Sequence, residues 1–409
     1  MRNFFLKNSV KYYLLIILGL GFLFLTNDFG VTDVQKTAIV VAAGIDRQED
    51  TFILTTQVAI PQASKQGKSS EAVQIVSRGK TVGDAFEEIN AKTGWYPKLV
   101  FCDLILFGES AKTEDVFESL DFFLRDEYLS DDCHLAVCNG TAKDLLNTSA
   151  LVDPSSSTAM KKVLSAHAER VGTVLPNTLR EFSIGYFSES KSGYLPILTT
   201  EPQQEKIGKN DKEQPQQGTP SPPTNGEGEN GGNATKETEE KPVFSARETA
   251  LFVHGKWVET LDSNETFALA SVLSKLRLAS YTVQSERGAC TLNIRRNSPK
   301  VKLQASDSGI FTLKVDLTCT AGMLDYAKSQ SIEKISDAGD VPKEFFSLAA
   351  KKLSGEIDRV YEKCRAVECD LFGVRERLLK YTKRRFHPHQ DVAFSKTHIQ
   401  VSVHFQNVR

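Results

Sequence analysis

The chain has 409 residues, 40% of them hydrophobic, which is enough to bury a core and to form two or three domains. Fifty basic and 52 acidic residues give a formal net charge of −2, which does not fit the strongly basic surface of a nucleic-acid-binding protein. Seven cysteines are an odd number, and we expect buried free thiols rather than a framework of disulfides.

The amino terminus combines positive charge with a short apolar segment. Three basic residues precede an uninterrupted apolar run from Tyr12 to Leu25. Counted with its flanks, the segment 10–27 has 18 residues, the lower limit for spanning a bilayer. No small-x-small cleavage site follows it, which favours an uncleaved signal-anchor over a cleaved signal peptide. Because basic flanks stay in the cytoplasm, residues 1–30 are predicted to be the anchor and the remainder to be extracytoplasmic.

Strands and helices alternate over the next 150 residues or so. Alternating and apolar runs predict strands at Thr37–Gly44, Thr51–Pro61, Gln74–Ser77, Val100–Phe107 and Leu135–Cys138. Helical spacing predicts helices over Val82–Ile89 with Thr81 as N-cap, over Val116–Phe123, over Ser156–Val171 and near Thr178–Phe187. Cys133 and Cys138 are five residues apart, and on a strand they should lie on opposite faces.

A polar stretch follows at residues 201–242. Its only apolar residues are Ile207 and Ala234, and it contains no aromatic residue. Such a composition cannot bury enough apolar surface to offset the entropy of ordering. We therefore predict a disordered insertion that separates two folded bodies.

The second body begins with strands and ends with a long helix and a final strand. The strands are predicted at Ala246–Val253, Trp257–Thr260, Ser280–Gln284, Cys290–Ile294, Val301–Ala305, Phe311–Cys319 and Ile399–Phe405. A short helix is predicted over Glu265–Leu273, and the long helix follows Pro342. Its core-facing stripe comprises Phe345, Leu348, Leu353, Ile357, Val360 and Cys364, and its other faces carry charged residues that include Glu356 and Lys363. The predicted fold class is α+β, with mixed sheets and packed helices.

The sequence contains no P-loop, no GxSxG nucleophile elbow and no HExxH. Ser188 and Ser331 each begin a Ser-x-x-Lys match, and Lys92-Thr93-Gly94 completes a partial likeness to penicillin-binding enzymes. In those enzymes Lys-Thr-Gly follows the nucleophile, whereas here it precedes both serines. We therefore predict no catalytic residues and no enzymatic activity.

No metal or cofactor site is predicted either. His387 and His389 are two residues apart with a proline between them, whereas zinc needs three or four converging ligands. A solvated loop is the favoured interpretation. The basic run Lys380, Lys383, Arg384 and Arg385 is interpreted as a solvated face in preference to a contact with anionic lipid.

Several short motifs, taken in order, resemble those of the C subunit of spore germinant receptors, the Ger(x)C family. They are Asp33-Val34, Thr37–Val40, Ala43-Gly44-Ile45-Asp46, Gly79-Lys80-Thr81-Val82, Ile105–Glu109, Leu120–Arg125, Gly140-Thr141-Ala142, Ala250-Leu251-Phe252 and Glu368-Cys369-Asp370-Leu371-Phe372-Gly373. Each motif is weak by itself, but together they extend over nearly the whole predicted extracytoplasmic chain.

The resemblance implies three consecutive α+β domains after the anchor. These would be an N-terminal domain at 31–190, a middle domain at 191–285 that contains the disordered insertion at 201–242, and a C-terminal domain at 286–409 with the long helix. Members of the family are typically lipoproteins, with a cysteine just after the signal. Residues 26–30 contain no cysteine here, so the apolar segment itself would hold the chain to the membrane.

In function, the resemblance implies a non-enzymatic extracytoplasmic subunit of a nutrient germinant receptor. Such a subunit works with the integral-membrane A and B subunits in the inner membrane of the dormant spore. A membrane-anchored adaptor or sensor module of the same fold, outside germination, is the alternative, because fold does not fix function.

The resemblance also marks five motif positions of unknown role: Gly44, Asp46, Asp370, Phe372 and Gly373. We expect these roles to be structural, with Gly44 permitting a tight turn and Phe372 lying in the core. No residue is assigned to a germinant pocket, to a cofactor or to a metal.

Overall fold

The protein is described by a computed structural model for residues 11–21, 37–59, 72–150, 153, 155–165, 172–201, 242–286, 288–305, 311–328, 341–381 and 394–408. Its strands are β1 (Thr37–Gln48), β2 (Thr51–Ala59), β3 (Ala72–Gly79), β4 (Tyr96–Lys98), β5 (Leu104–Phe107), β6 (His134–Cys138), β7 (Asn177–Thr178), β8 (Ser192–Glu201), β9 (Val243–Val253), β10 (Lys256–Leu261), β11 (Ala279–Ser285), β12 (Gly288–Ala305), β13 (Phe311–Lys328) and β14 (Thr397–Asn407). Its helices are α1 (11–21), α2 (Val82–Thr93), α3 (Phe117–Arg125), α4 (Ala142–Asn147), α5 (Ser156–Val163), α6 (Leu179–Phe187), α7 (Ser263–Val272), α8 (Lys343–Ala366) and α9 (Val374–Tyr381). The fold is mixed α+β, as predicted.

The first sheet has the strand order β10-β9-β8-β6-β5-β1-β2-β3, with β4 beside β1 and β7 beside β6. Its centre, β8-β6-β5-β1, is parallel, and the strands on both flanks are antiparallel. Both faces are buried, because separate apolar clusters pack on them. Cys133 belongs to one cluster and Cys138 to the other, so the predicted placement on opposite faces is confirmed.

Helix α2 shows how local sequence sets the boundaries of an element. Thr81 is the N-cap, and its side chain accepts a hydrogen bond of 3.1 Å from the backbone N–H of Asp84. The predicted stripe is buried against the sheet, and the helix ends at Gly94 with a left-handed φ of 72°. Cap and stripe are both confirmed.

The second sheet has the order β11-β12-β13-β14, and α8 packs on its inner face. The predicted stripe of α8 is buried, except that Leu348 is only half-buried. Two charged residues on the other faces of α8 form ion pairs. Glu356 is buried and bonds Arg359, and Lys363 Nζ lies 2.7 Å from the buried Glu265 carboxylate of α7. Helix α8 is therefore covered on more than one side.

The polar stretch does not separate two bodies. Its flanking strands β8 and β9 pair antiparallel, with Glu201 opposite Val243, so β9 and β10 extend the first sheet. The predicted boundary at 190/191 therefore falls within one sheet, and that at 285/286 falls within the β11–β12 hairpin. The predicted disorder concerns residues 202–241, which lie outside the described residues; the division into three domains remains a prediction.

Other predicted elements differ in extent. β12 is one 18-residue strand where two were predicted, and β5 begins at Leu104 rather than Val100. β4, α4, β8 and α9 were not predicted. The histidine pair and most of the basic run near residue 385 lie outside the described residues. Across the described ranges, no helix has the length and apolar character needed to cross a bilayer.

We predict that Gly355→Ala stabilises the protein by about 1 kcal/mol. Gly355 lies in the middle of α8 on its exposed side, and an added Cβ would meet no atom within 4 Å. Alanine would lower the conformational entropy of the unfolded chain without a steric cost in the folded one. The measurement is the urea midpoint by circular dichroism, and an unchanged or lower midpoint would contradict the prediction.

Candidate functional site

The five motif positions lie in two separate places. Gly44 and Asp46 lie in β1, near the carboxyl ends of the parallel strands. The other three lie in the turn between α8 and α9, beside Ser192 at the start of β8. Because β8 runs parallel to the neighbouring central strands, these places lie at opposite ends of the sheet. The structure therefore does not bring the two groups together.

Asp46 holds the amino terminus of α4. Its Oδ1 accepts a hydrogen bond of 2.7 Å from the N–H of Ala142, and its Oδ2 accepts one of 3.0 Å from the N–H of Lys143. The side chain is buried, and burial raises the pKa of its carboxyl, while the two backbone donors act in the opposite direction. A carboxylate at a helix amino terminus satisfies donors that have no partner within the helix.

Two glycines make room for this contact. A Cβ on Gly44 would lie 2.6 Å from Leu146 Cδ1 of α4, and a Cβ on Gly108 would lie 2.0 Å from Asp46 Oδ1. Gly44 thus permits a close approach of β1 and α4 rather than the predicted tight turn, since its backbone continues the strand. Gly108 was not among the predicted site residues.

The second place begins where α8 ends. The N–H of Cys369 donates to the carbonyl of Cys364 at 2.8 Å, and Glu368 between them has a left-handed φ of 59°. This is the pattern of a Schellman motif, with glutamate in the position that glycine usually occupies. The buried thiol of Cys369 lies 3.5 Å from the carbonyl oxygen of Phe252 in β9. The helix end is therefore tied to the first sheet.

Asp370 repeats the role of Asp46 at α9. Its Oδ1 accepts from the N–H of Val374 at 2.9 Å, and its Oδ2 accepts from that of Arg375 at 2.7 Å. Its own N–H donates to Ser192 Oγ at 2.9 Å. Burial raises the pKa of this carboxyl too, against the effect of the two backbone donors and the Arg375 charge.

The remaining two positions complete the turn. Phe372 is buried, and its ring meets that of Tyr361 edge to face with centroids 5.1 Å apart, so the predicted core position agrees with the structure. Gly373 has a φ of 68°, which favours glycine. Its carbonyl and that of Phe372 accept hydrogen bonds from the Arg377 guanidinium.

A cleft of about 250 Å³ lies beside this turn, between α6, β8 and the end of α7. Its charged residues include Glu181, Lys275 and Glu376. Lys275 Nζ lies 2.6 Å from Glu181, so that charge already has a partner. Ile184 at the rim is 64% exposed. The cleft can hold a small polar group or a side chain of a partner, but no nucleophile and base converge in it.

The partial likeness to a serine enzyme also finds no support. Ser188 Oγ donates to the carbonyl of Gly185 at 2.6 Å and bonds Ser190 Oγ at 2.8 Å, and Ser331 lies outside the described residues. Lys92 lies in α2 and forms an ion pair with Glu88. Across the described ranges, no group of three or more His, Cys, Asp or Glu residues could hold a metal ion. Cys369 and Gly108 lie within the quoted motifs but were not selected as site residues, and Ser192 was not noticed, because only their long-range contacts distinguish these three.

Comparison with known proteins matches two consecutive family models to the chain. Residues 30–200 match the spore germination protein N-terminal domain, and residues 247–409 match the Spore germination B3/GerAC-like C-terminal domain. Among curated relatives, the chain is 28% identical over 146 residues to spore germination protein B3 of Bacillus subtilis (strain 168). That alignment covers 34% of this chain and 36% of the relative.

A similar fold is found in the crystal structure of the GerBC protein, with a TM-score of 0.51. The match covers 90% of this chain and 97% of that one, at 16% sequence identity. Likeness at this identity concerns the fold, which is the same mixed α+β arrangement of sheets and packed helices.

Proposed function

The chain belongs to the Ger(x)C family, the C subunits of spore germinant receptors involved in germination, and we propose that it is a non-enzymatic extracytoplasmic subunit of a nutrient germinant receptor. The observation that carries this proposal is the match of both family domains, in order, to residues 30–200 and 247–409. The motif carboxylates support a non-enzymatic role, because both oxygens of each accept hydrogen bonds from a helix amino terminus. A carboxylate engaged in this way is a structural cap rather than a general base.

The proposed subunit is held to the inner membrane of the spore by its amino-terminal segment. Helix α1 exposes large apolar side chains on every side, from 50% at Leu20 to 72% at Leu18. A helix that is apolar all round needs lipid or a protein core to cover it. The basic residues before this segment support an extracytoplasmic position for the folded part.

The proposed partners are the integral-membrane A and B receptor subunits, with no nucleic acid involved. An integral-membrane partner beside the chain would have access to the cleft next to Asp370, which is open at the surface. The near balance of 50 basic and 52 acidic residues supports the exclusion of nucleic acid, because nucleic-acid-binding proteins are typically strongly basic.

The proposal predicts that the tagged chain, solubilised in detergent from membranes of sporulating cells, recovers A- and B-type receptor subunits. Partners are identified by mass spectrometry, with the same chain untagged as the control for background. Recovery of wall-synthesis or other signalling proteins in place of receptor subunits would contradict the receptor role. That result would favour an adaptor of the same fold outside germination.

A further inference from the structure

The outer face of the second sheet, opposite α8, is polar along three strands. Strand register separates the two faces, because Leu313, Val315 and Leu317 of β13 are fully buried on the inner one. The side chains that alternate with them on β12, β13 and β14 lie on the outer face. In rows across the three strands they are Gln304, Thr312 and His398; Lys302, Lys314 and Gln400; Lys300, Asp316 and Ser402; Ser298, Thr318 and His404; and Arg296, Thr320 and Gln406.

This face, which we call the basic sheet face, carries more positive than negative charge. It carries a single carboxylate, that of Asp316, and four cationic side chains, those of Arg296, Lys300, Lys302 and Lys314. In the part of the chain that the structure describes, none of the four cations forms an ion pair. The protein as a whole has a net charge of −2, so the positive charge of this face is a local property.

Two of these cations oppose each other across neighbouring strands. Lys302 of β12 is the direct register partner of Lys314 of β13, and side chains in such pairs start only about 5 Å apart at Cβ. Like charges placed directly opposite destabilise a sheet. A solvated polar face is normal for a sheet that is covered on one side only, as this mixed sheet is, but such a face does not require two like charges to stand opposite each other. A bound anion would remove the repulsion.

We propose that the basic sheet face docks on the anionic phospholipid headgroups of the membrane. None of the fifteen residues that define this face is Phe, Tyr, Trp, Leu, Ile, Val or Met, whereas exposed aromatic and apolar anchors are what centre a protein–protein interface. Closely spaced lysines attract anionic lipid surfaces. The inference rests on the proposed function in one respect, the membrane association of α1, which would keep the folded part within reach of the headgroups.

The test is flotation of the purified full-length chain with phosphatidylcholine vesicles, with and without phosphatidylglycerol, at low and high salt. The variant is K300Q/K302Q/K314Q, which removes three charges from an exposed face. The matched control is K80Q/K256Q/K351Q, which removes three charges from exposed lysines elsewhere. Both variants keep the amino-terminal segment, so its contribution to binding is the same in all samples.

We expect the phosphatidylglycerol-dependent part of the partition coefficient to fall roughly 100-fold in the first variant, at about a factor of five per lysine. The control should retain it, and high salt should abolish it in the unmodified chain. Equal phosphatidylglycerol dependence in all three proteins, or none in the unmodified chain, would overturn the proposal. Loss of receptor subunits from the pull-down without a change in vesicle binding would also overturn it, and would mark the face as a protein interface. Vesicle binding needs no receptor subunit, so its failure is distinguishable from failure of the receptor role.

Discussion

Asp370→Ala is expected to lower the free energy of unfolding by about 2–4 kcal/mol, the loss of a helix cap together with unpaired buried donors. The backbone N–H groups of Val374 and Arg375 would lose the carboxylate to which they donate, in a site where Asp370 is 2% exposed. The measurement is urea denaturation followed by circular dichroism. Asp132→Ala, at an exposed aspartate, is the control and should change stability by less than about 0.5 kcal/mol. Equal effects of the two substitutions would contradict a capping role.

The same variant has a pH signature. Burial raises the pKa of the Asp370 carboxyl above its ordinary value, so the fold favours the protonated form. The folded state therefore binds this proton more tightly than the unfolded chain does. The contribution of that difference to the free energy of unfolding is present in full below the ordinary pKa and is lost as pH rises through the raised pKa. The difference in free energy of unfolding between the unmodified chain and Asp370→Ala should therefore be largest below the ordinary pKa of aspartate. It should become smaller as pH rises from the ordinary pKa to the raised pKa. A difference that becomes larger over this pH range would contradict the prediction.

Gly108→Ala is expected to cost about 2–3 kcal/mol, because it displaces a buried hydrogen-bonded carboxylate. The backbone of Gly108 has a φ of −75°, which any residue can adopt. Glycine is required here only because there is no room for a side chain. The new Cβ would lie 2.0 Å from Asp46 Oδ1 and 3.1 Å from the carbonyl oxygen of Gly140. The carboxylate would have to leave the amino terminus of α4, whose two N–H groups it now satisfies.

The control for this substitution is Gly83→Ala, in the first turn of α2. There the nearest atoms to a new Cβ belong to Phe122 at 3.4 Å, and alanine favours the helix. Thermal denaturation should place Gly108→Ala well below the unmodified protein and Gly83→Ala at or above it. A Gly108→Ala protein as stable as the control would mean that Asp46 does not hold α4 as described.

Local signals in the sequence were enough to predict the elements that local forces define. Thr81 with the apolar spacing of α2 is one case, because cap and stripe both act within a few residues. The stripe of α8 is another. β8 was missed although it is central in the sheet. It contains Pro196 and lacks clean alternation, and its strand character comes from pairing with β6 and β9.

The error over the two bodies has the same origin. The composition of residues 201–242 describes that stretch alone, and it carries no information on whether the flanking strands pair with each other. At the site, Asp46 and Asp370 were selected by resemblance without a role. Their role depends on donors 96 and four residues away, respectively. The sequence could have suggested only the role of Asp370, because that aspartate lies just before the helix that it caps.

The pairing of β8 with β9 affects how the protein is made. When the ribosome has completed residue 201, one edge of β8 is still unpaired, and its partner Val243 emerges about forty residues later. Unpaired strand edges are the sites at which chains associate wrongly during synthesis. One edge of β8 therefore stays without its partner strand until β9 has been made. Completion of the first sheet requires β9 and β10, most of whose residues lie within the second family domain.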